Sequence, residues 1–216
     1  MSSPITERPL HLHDGHTPAV HTQMTTQAPR IEVLFSSDAI ARRIDELAES
    51  IRQSGLHSML VVPILKGSFI FAADLIRAMH RVGLTPDVDF LSLASYGEAE
   101  HSSGTVRIVR DVESDVGGRD VLIVDDILES GRTLAFAKGL LQHRGATRVE
   151  TCVLLDKKVP RAMPFTADFA AFECPNEFVV GYGMDLAHRY RELPFVGRLV
   201  RAEGPTGGHD GTNPSR

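Results

Sequence analysis

The stretch Val121-Leu122-Ile123-Val124-Asp125-Asp126-Ile127-Leu128-Glu129-Ser130-Gly131-Arg132-Thr133 decides the fold. Four consecutive apolar residues ahead of two adjacent acids read as a strand buried on both faces, ending at the carboxyl edge of a parallel sheet. After the acids comes a short polar loop with Ser130, Gly131 and Thr133. A helical pattern then runs from Leu134 through Ala137 and Leu141 to a stop at Gly145. Strand, small-residue loop and helix start make an anion seat, because the first N–H groups of a helix lack internal partners and carry the positive end of its dipole. No Lys follows the glycine, so this is not a Walker P-loop, and the repeated glycines of a dinucleotide fingerprint are missing. The two acids would repel a phosphate, but they suit the hydroxyls of a ribose whose 5′-phosphate lies in the loop beyond. A buried strand followed by an ordinary helix cap explains the apolar run and Ser130, but not Asp125 and Asp126 together.

Outward from this stretch, 216 residues suffice for one domain with a real core. A hydrophobic fraction of 42%, a net charge of −5 and a pI near 6.0 describe a globular chain without the basic excess of a nucleic-acid binder. No signal peptide or membrane-length apolar run is visible, so a cytoplasmic location without membrane contact is expected. Cys152 and Cys174 lie in apolar, strand-like contexts without metal spacing and are expected to be buried thiols. Residues 1–29 are rich in Ser, Thr, Pro, Gln and His without periodicity, and residues 203–216 form a similar tail; both are expected to be disordered. His11, His13, His16 and His21 lack the fixed geometry of a metal site. The folded unit is therefore residues 30–202.

Within it, residues 31–35 read as a strand, and Ser37 is a candidate N-cap for a helix with apolar positions at Ile40, Ile44, Leu47 and Ile51, closed by Gly55. Residues 59–65 read as a second strand buried on both faces, and Lys66-Gly67-Ser68 turns it into an amphipathic helix from Phe69 to Arg81. This is a second strand–loop–helix anion seat, although a solvated Lys in a tight turn would look the same. Residues 89–96 and 105–112 read as strands flanking a polar, glycine-bounded segment. Residues 149–155 form another apolar strand, ending in Asp156-Lys157-Lys158. A paired Lys at a strand end is often merely solvated; read functionally, an ammonium is a donor only, so it can satisfy the O6 acceptor of a 6-oxopurine and would oppose the amino group of adenine.

On these residues the chain resembles the type I phosphoribosyltransferases, and in its last third the branch of that family that salvages hypoxanthine and guanine. Residues 121–133 fit the family's diphosphate-sugar motif throughout, and residues 177–185 and 190–194 resemble its base-binding segment and continuation. The resemblance implies an α/β fold with an open, mostly parallel, doubly wound sheet, a small hood and a mobile active-site loop. It implies transfer of 5-phosphoribosyl from phosphoribosyl diphosphate to N9 of hypoxanthine or guanine, with Mg²⁺ as cofactor, and a homo-oligomer, dimer or tetramer. Asp125, Asp126, Ile127, Leu128, Glu129, Ser130, Gly131, Arg132 and Thr133 would hold the ribose and its 5′-phosphate. Lys66, Gly67, Arg191, Ser95 and Tyr96 would hold diphosphate, with a strained peptide ahead of Lys66 and the Ser95-Tyr96 loop closing over the reaction. Lys157, Glu177, Phe178 and Val179 would bind the purine, Phe178 by stacking. Asp185, with Asp125 and Asp126, would serve the metal. Glu129 would be the proton carrier near N7, one methylene longer than the Asp of most relatives. Two alternatives stand beside this reading. One is a non-catalytic regulator that senses phosphoribosyl diphosphate, disfavoured by the charge of −5. The other is a phospho-acceptor receiver domain, disfavoured by Ser130, Gly131 and Thr133 directly after the acids.

Overall fold

The computed structural model describes residues 30–95 and 106–200. The expected tails, Tyr96 and the segment 97–104 lie outside the described residues, as does the side chain of Ser95.

In chain order the elements are β1 (Arg30–Phe35), α1 (Ser37–Gln53), β2 (Leu60–Leu65), α2 (Phe69–Arg81), β3 (Asp87–Val88), β4 (Leu91–Ser95) and β5 (Val106–Arg110). They continue with β6 (Asp120–Leu128), α3 (Arg132–His143), β7 (Arg148–Lys157), β8 (Phe169–Cys174), β9 (Val179–Val180) and β10 (Val196–Val200). The main sheet runs β5-β4-β2-β6-β7-β8, with β3 also paired to β2. All its pairings are parallel except β4–β5, which is antiparallel. Parallel strands need crossovers, and the helices that supply them cover both faces.

The burial of β6 shows why its sequence is a continuous apolar run. Leu122 and Val124 face the core beneath α1 and α2, whereas Val121 and Ile123 face the core beneath α3. On β2, Val61 joins the first core and Leu60, Val62 and Ile64 the second. Each helix presents one stripe: Ile40, Ile44, Leu47, Ala48 and Ile51 on α1, Phe71, Ala72, Leu75, Ala78 and Met79 on α2, and Leu134, Ala137 and Leu141 on α3. A separate antiparallel sheet, β1-β10-β9, forms the hood from the two ends of the folded region. Phe35 of β1 stacks on Phe172 of β8 with ring centroids 4.4 Å apart, joining hood to sheet.

Several boundaries differ from the sequence reading. The cap of α1 is Ser36, whose Oγ accepts from the Ala39 N–H at 3.3 Å, while Ser37 is already helical. Strand β6 does not stop before the acids. Its ladder with β7 pairs Asp125 with Val153 and Leu128 with Asp156, so neighbouring backbone carries it past the apolar run. The same ladder and that to β8 carry β7 through Lys157, and α3 begins at Arg132. The strand expected from residue 89 begins only at Leu91, as β4, because Asp89-Phe90 is a break that separates it from β3. There the Asp89 carboxylate accepts from the N–H groups of Phe90, Glu113 and Ser114, an acceptor role that competes with a straight ladder. The expected hairpin is otherwise present as β4–β5.

Candidate functional site

Because β2, β4, β6 and β7 are parallel, their last residues gather at one edge, the place where open α/β sheets hold ligands. Two adjoining cavities open there. The larger, about 760 Å³, is bounded by the loop after β2, the ends of β6 and β7, and the hood. The smaller, about 160 Å³, lies over residues 127–131 and the start of α3. Ile127 and Glu129 belong to both.

The smaller hollow is lined by Asp125, Leu128, Ser130, Gly131 and Thr133 as well. Gly131 sits at the N-cap of α3 with φ of +77°, a left-handed conformation that glycine adopts without strain. Its carbonyl accepts the first helical bond, from Ala135 at 3.0 Å, so the N–H groups of Arg132 to Leu134 precede any helical acceptor. Arg132 N–H reaches Ser130 Oγ at 3.4 Å, and the first turn of α3 contains no acid. Free donors, a helix dipole and a first turn without an acid give this loop the character of an anion seat, with the Asp125 and Glu129 carboxylates at its margin. The Arg132 side chain itself is exposed and lines a different, outer hollow.

Beside the seat, Asp125 is buried and Asp126 half-buried, with the Asp126 N–H donating to Asp125 Oδ1 at 3.1 Å. Burial, and then the negative charge of Asp126, push Asp125 well above the ordinary carboxylate range. Burial also raises Asp126, against hydrogen bonds from Asp125 and the backbone and the positive charge of Arg191. Across the cleft the Leu65–Lys66 peptide bond is cis. A Cβ on Gly67 would stand 1.8 Å from Asp126 Oδ2, so the acid occupies the space that any larger residue needs. The Lys66 loop and the acid pair are thereby held in direct contact, and Lys66 is exposed at the cleft.

The far wall carries Lys157, Phe178 and Val179. The Lys157 side chain is 8% exposed, and its ammonium donates to Glu129 Oε1 at 2.9 Å; the Glu129 side chain is 52% exposed. Phe178, 55% exposed, is not a core aromatic and offers its ring to the cleft. Glu177 differs: its carboxylate pairs with Arg198 at 2.6 Å, and its side chain is not among those lining the cleft. Cys174, the register partner of Lys157 on β8, is a free buried thiol, as is Cys152.

The hood closes the site through residues 181–191. A Cβ on Gly183, whose φ is +100°, would stand 2.1 Å from the Gly67 carbonyl oxygen, so hood backbone rests on the Lys66 loop. Arg191 donates to the Gly183 carbonyl at 2.6 Å and pairs with Asp185 at 2.6 Å. Asp185 also accepts from the His188 N–H at 2.8 Å. The Tyr182 hydroxyl donates to Asp74 of α2, tying the hood to the helix that the Lys66 loop starts. Sequence reasoning missed His188 and the Ser92–Ala94 and Val109 wall of the hairpin, and gave no role to Gly183 within the segment it singled out. A lone glycine or a strand's inward face gives no signal of what it will approach.

An anion seat beyond paired acids, at the edge of a mostly parallel α/β sheet with a hood, has the chemistry to suit a phosphorylated sugar. Residues 31–186 match the phosphoribosyl transferase domain, and the chain belongs to that family of enzymes. It is 41% identical over 170 residues to a hypoxanthine-guanine phosphoribosyltransferase of Dictyostelium discoideum, covering 78% of this chain and 94% of that protein. An Aquifex aeolicus protein of the same name is 43% identical over 169 residues, covering 77% and 93%. Among solved structures, a Trypanosoma cruzi hypoxanthine phosphoribosyl transferase is similar with a TM-score of 0.73 and 37% identity, covering 78% of this chain and 91% of that one. The mostly parallel sheet and the hood are those the sequence resemblance implied.

Proposed function

We propose that the protein salvages purines by transferring 5-phosphoribosyl from phosphoribosyl diphosphate to N9 of hypoxanthine or guanine, giving IMP or GMP and diphosphate. The observation that carries this is the Lys157 ammonium, nearly buried at the end of β7 in the same cleft as the exposed ring of Phe178. A donor-only group beside a stacking face selects a flat heterocycle with an oxygen at C6. The backbone of Glu177 and Val179 reads the rest of the base edge. The names of the relatives support the same substrates.

The 5′-phosphate lies in the seat of Ser130, Gly131, Arg132 and Thr133, with Ile127, Leu128 and Glu129 shaping its walls. Asp125 and Asp126 accept from the ribose hydroxyls. The diphosphate meets Lys66, the Gly67 backbone and Arg191. Catalysis then rests on positioning and on cationic groups that meet the charge of the leaving diphosphate. Glu129 carries the purine proton near N7. For its carboxylate to turn from Lys157 to the base, the longer side chain must swing, which its half-exposed position allows.

Mg²⁺ fits this donor set. Among the described residues no three acids or histidines form a protein cage. The adjacent carboxylates of Asp125 and Asp126, with Asp185 lining the same cleft as Asp126, are oxygen donors that suit a hydrated divalent ion held by few protein ligands. Bound there, it would supply charge to screen the diphosphate. Among the described residues no helix is long and apolar enough to cross a membrane. We place the enzyme in the cytoplasm, as a homo-oligomer acting on small molecules and not on nucleic acid.

The test is steady-state product formation with phosphoribosyl diphosphate, Mg²⁺ and each of hypoxanthine, guanine, xanthine and adenine. Turnover of 6-oxopurines but not adenine is expected. Binding of phosphoribosyl diphosphate without turnover of any base would overturn the reading and leave a sensor of that ligand.

A further inference from the structure

Residues 158–168, which join β7 to β8, lie outside the ligand cleft, yet they touch both of its ends. Arg161 is the centre of this segment. Its side chain is 18% exposed, and that of its partner Asp156 is 15% exposed. One Nη2 donates to Asp156 Oδ1 and, at 3.4 Å, to the backbone carbonyl of Lys157. The other terminal nitrogen, Nη1, donates to the carbonyl of Phe165, and Nε is buried without a partner among the described residues. The guanidinium therefore grips the last two residues of β7 with one arm and the far half of the segment with the other.

That far half presses on the anion seat. The Met163 N–H donates to the Ser130 carbonyl at 3.1 Å. A Cβ on Gly131 would stand 2.5 Å from the Met163 carbonyl oxygen and 3.0 Å from Phe165 Cβ. The left-handed glycine that opens α3 is thus backed by Met163 and by Phe165, whose carbonyl Arg161 holds. Phe165 packs into the core beneath α3, which gives the segment a fixed footing.

We propose that Arg161 is a positioning residue that couples the base-reading end of β7 to the phosphate-holding loop, setting Lys157 and the Ser130–Gly131 backbone at one spacing. The reason is geometric. A nucleoside 5′-monophosphate must touch Lys157 and the α3 seat at once, so an error in their separation weakens whichever end binds second. A planar fork with several fixed donors can hold an acid and two carbonyls together, whereas an ammonium is a single point of charge. Arg161 lines neither ligand cavity, so its loss leaves the chemical groups in place.

The inference rests on the salvage reading above, and wild-type turnover of hypoxanthine tests that reading by itself. The present proposal is tested by the ratio of variant to wild type for Arg161→Met and Arg161→Lys. For both variants KM for hypoxanthine and KM for phosphoribosyl diphosphate are expected to rise together, each by roughly 5- to 20-fold, on the scale of one hydrogen bond, with kcat within about threefold. Failure of lysine to rescue separates geometry from charge. Should Arg161→Met not fold, Arg161→Lys decides, and Asp156→Asn, which keeps the carbonyl acceptors, is expected to raise both constants by a smaller factor. Unchanged KM values with a lowered melting temperature would reduce Arg161 to a structural brace. A rise for the base alone would remove the coupling to the phosphate seat, and a collapse of kcat at constant KM would place Arg161 at the reacting atoms; each overturns the proposal.

Discussion

Removing either partner of the Lys157–Glu129 pair is expected to have opposite consequences for stability and recognition. The two side chains meet at 2.9 Å, but one is 8% exposed and the other 52%. Glu129→Ala leaves an ammonium nearly sealed from water without its carboxylate, and an orphaned buried donor costs about 1–3 kcal/mol. Lys157→Met keeps the aliphatic stem and leaves a carboxylate already half in water, where an exposed pair is worth only about 0–1 kcal/mol. A domain of this size loses roughly 2–4 °C of melting temperature per kcal/mol. Glu129→Ala should therefore melt about 3–10 °C below the natural protein, Lys157→Met within about 3 °C of it, and the double variant like Lys157→Met alone. Circular dichroism melts without substrates read this directly. Recognition runs the other way. On the proposed reading, Lys157→Met would remove a charge-assisted hydrogen bond of about 1.5–3 kcal/mol to the base and should raise KM for hypoxanthine roughly 10- to 150-fold. A fall in melting temperature as large for Lys157→Met as for Glu129→Ala, with hypoxanthine KM unmoved, would refute the reasoning and make the pair structural.

Two further outcomes follow from single residues. Phe178 is 55% exposed, so Phe178→Ala should change the melting temperature by no more than about 2 °C, while base stacking worth about 1–3 kcal/mol is lost and KM for hypoxanthine rises about 5- to 150-fold; a strongly destabilised variant would return the ring to the core. At Asp89, burial raises the carboxyl, but the backbone N–H groups of Ser114, Phe90 and Glu113 outweigh it and hold the group below its ordinary range. A depressed carboxyl stabilises the fold above its unfolded pKa, about 3.9, and loses that contribution as pH falls through the folded value. Asp89→Asn should thus cost about 1–3 kcal/mol at pH 7 and progressively less toward pH 3, by chemical denaturation; a difference constant with pH would contradict this.

How much was legible in the sequence varied with the source of each feature. The central strand was visible because both its faces are buried, which demands the unbroken Val121-Leu122-Ile123-Val124 run, and the helices because one stripe of each meets a core. The length of β6 was not, since its last residues are held by β7 backbone, to which side-chain hydrophobicity gives no clue. The same holds for the cap of α1, where two adjacent serines are chemically alike and only backbone angles choose Ser36.

For the site, local chemistry determined the anion seat and the acid pair, because each is built within one strand–loop–helix unit. What only the tertiary structure decided are the approaches between distant units: Asp126 occupying the space beside Gly67, Gly183 against the Gly67 carbonyl, Glu129 on Lys157, and Arg161 between β7 and the α3 seat. These depend on parallel strands bringing separate loops to one edge at ångström spacing. A sequence names the groups available for such contacts, but the distances between them come from packing.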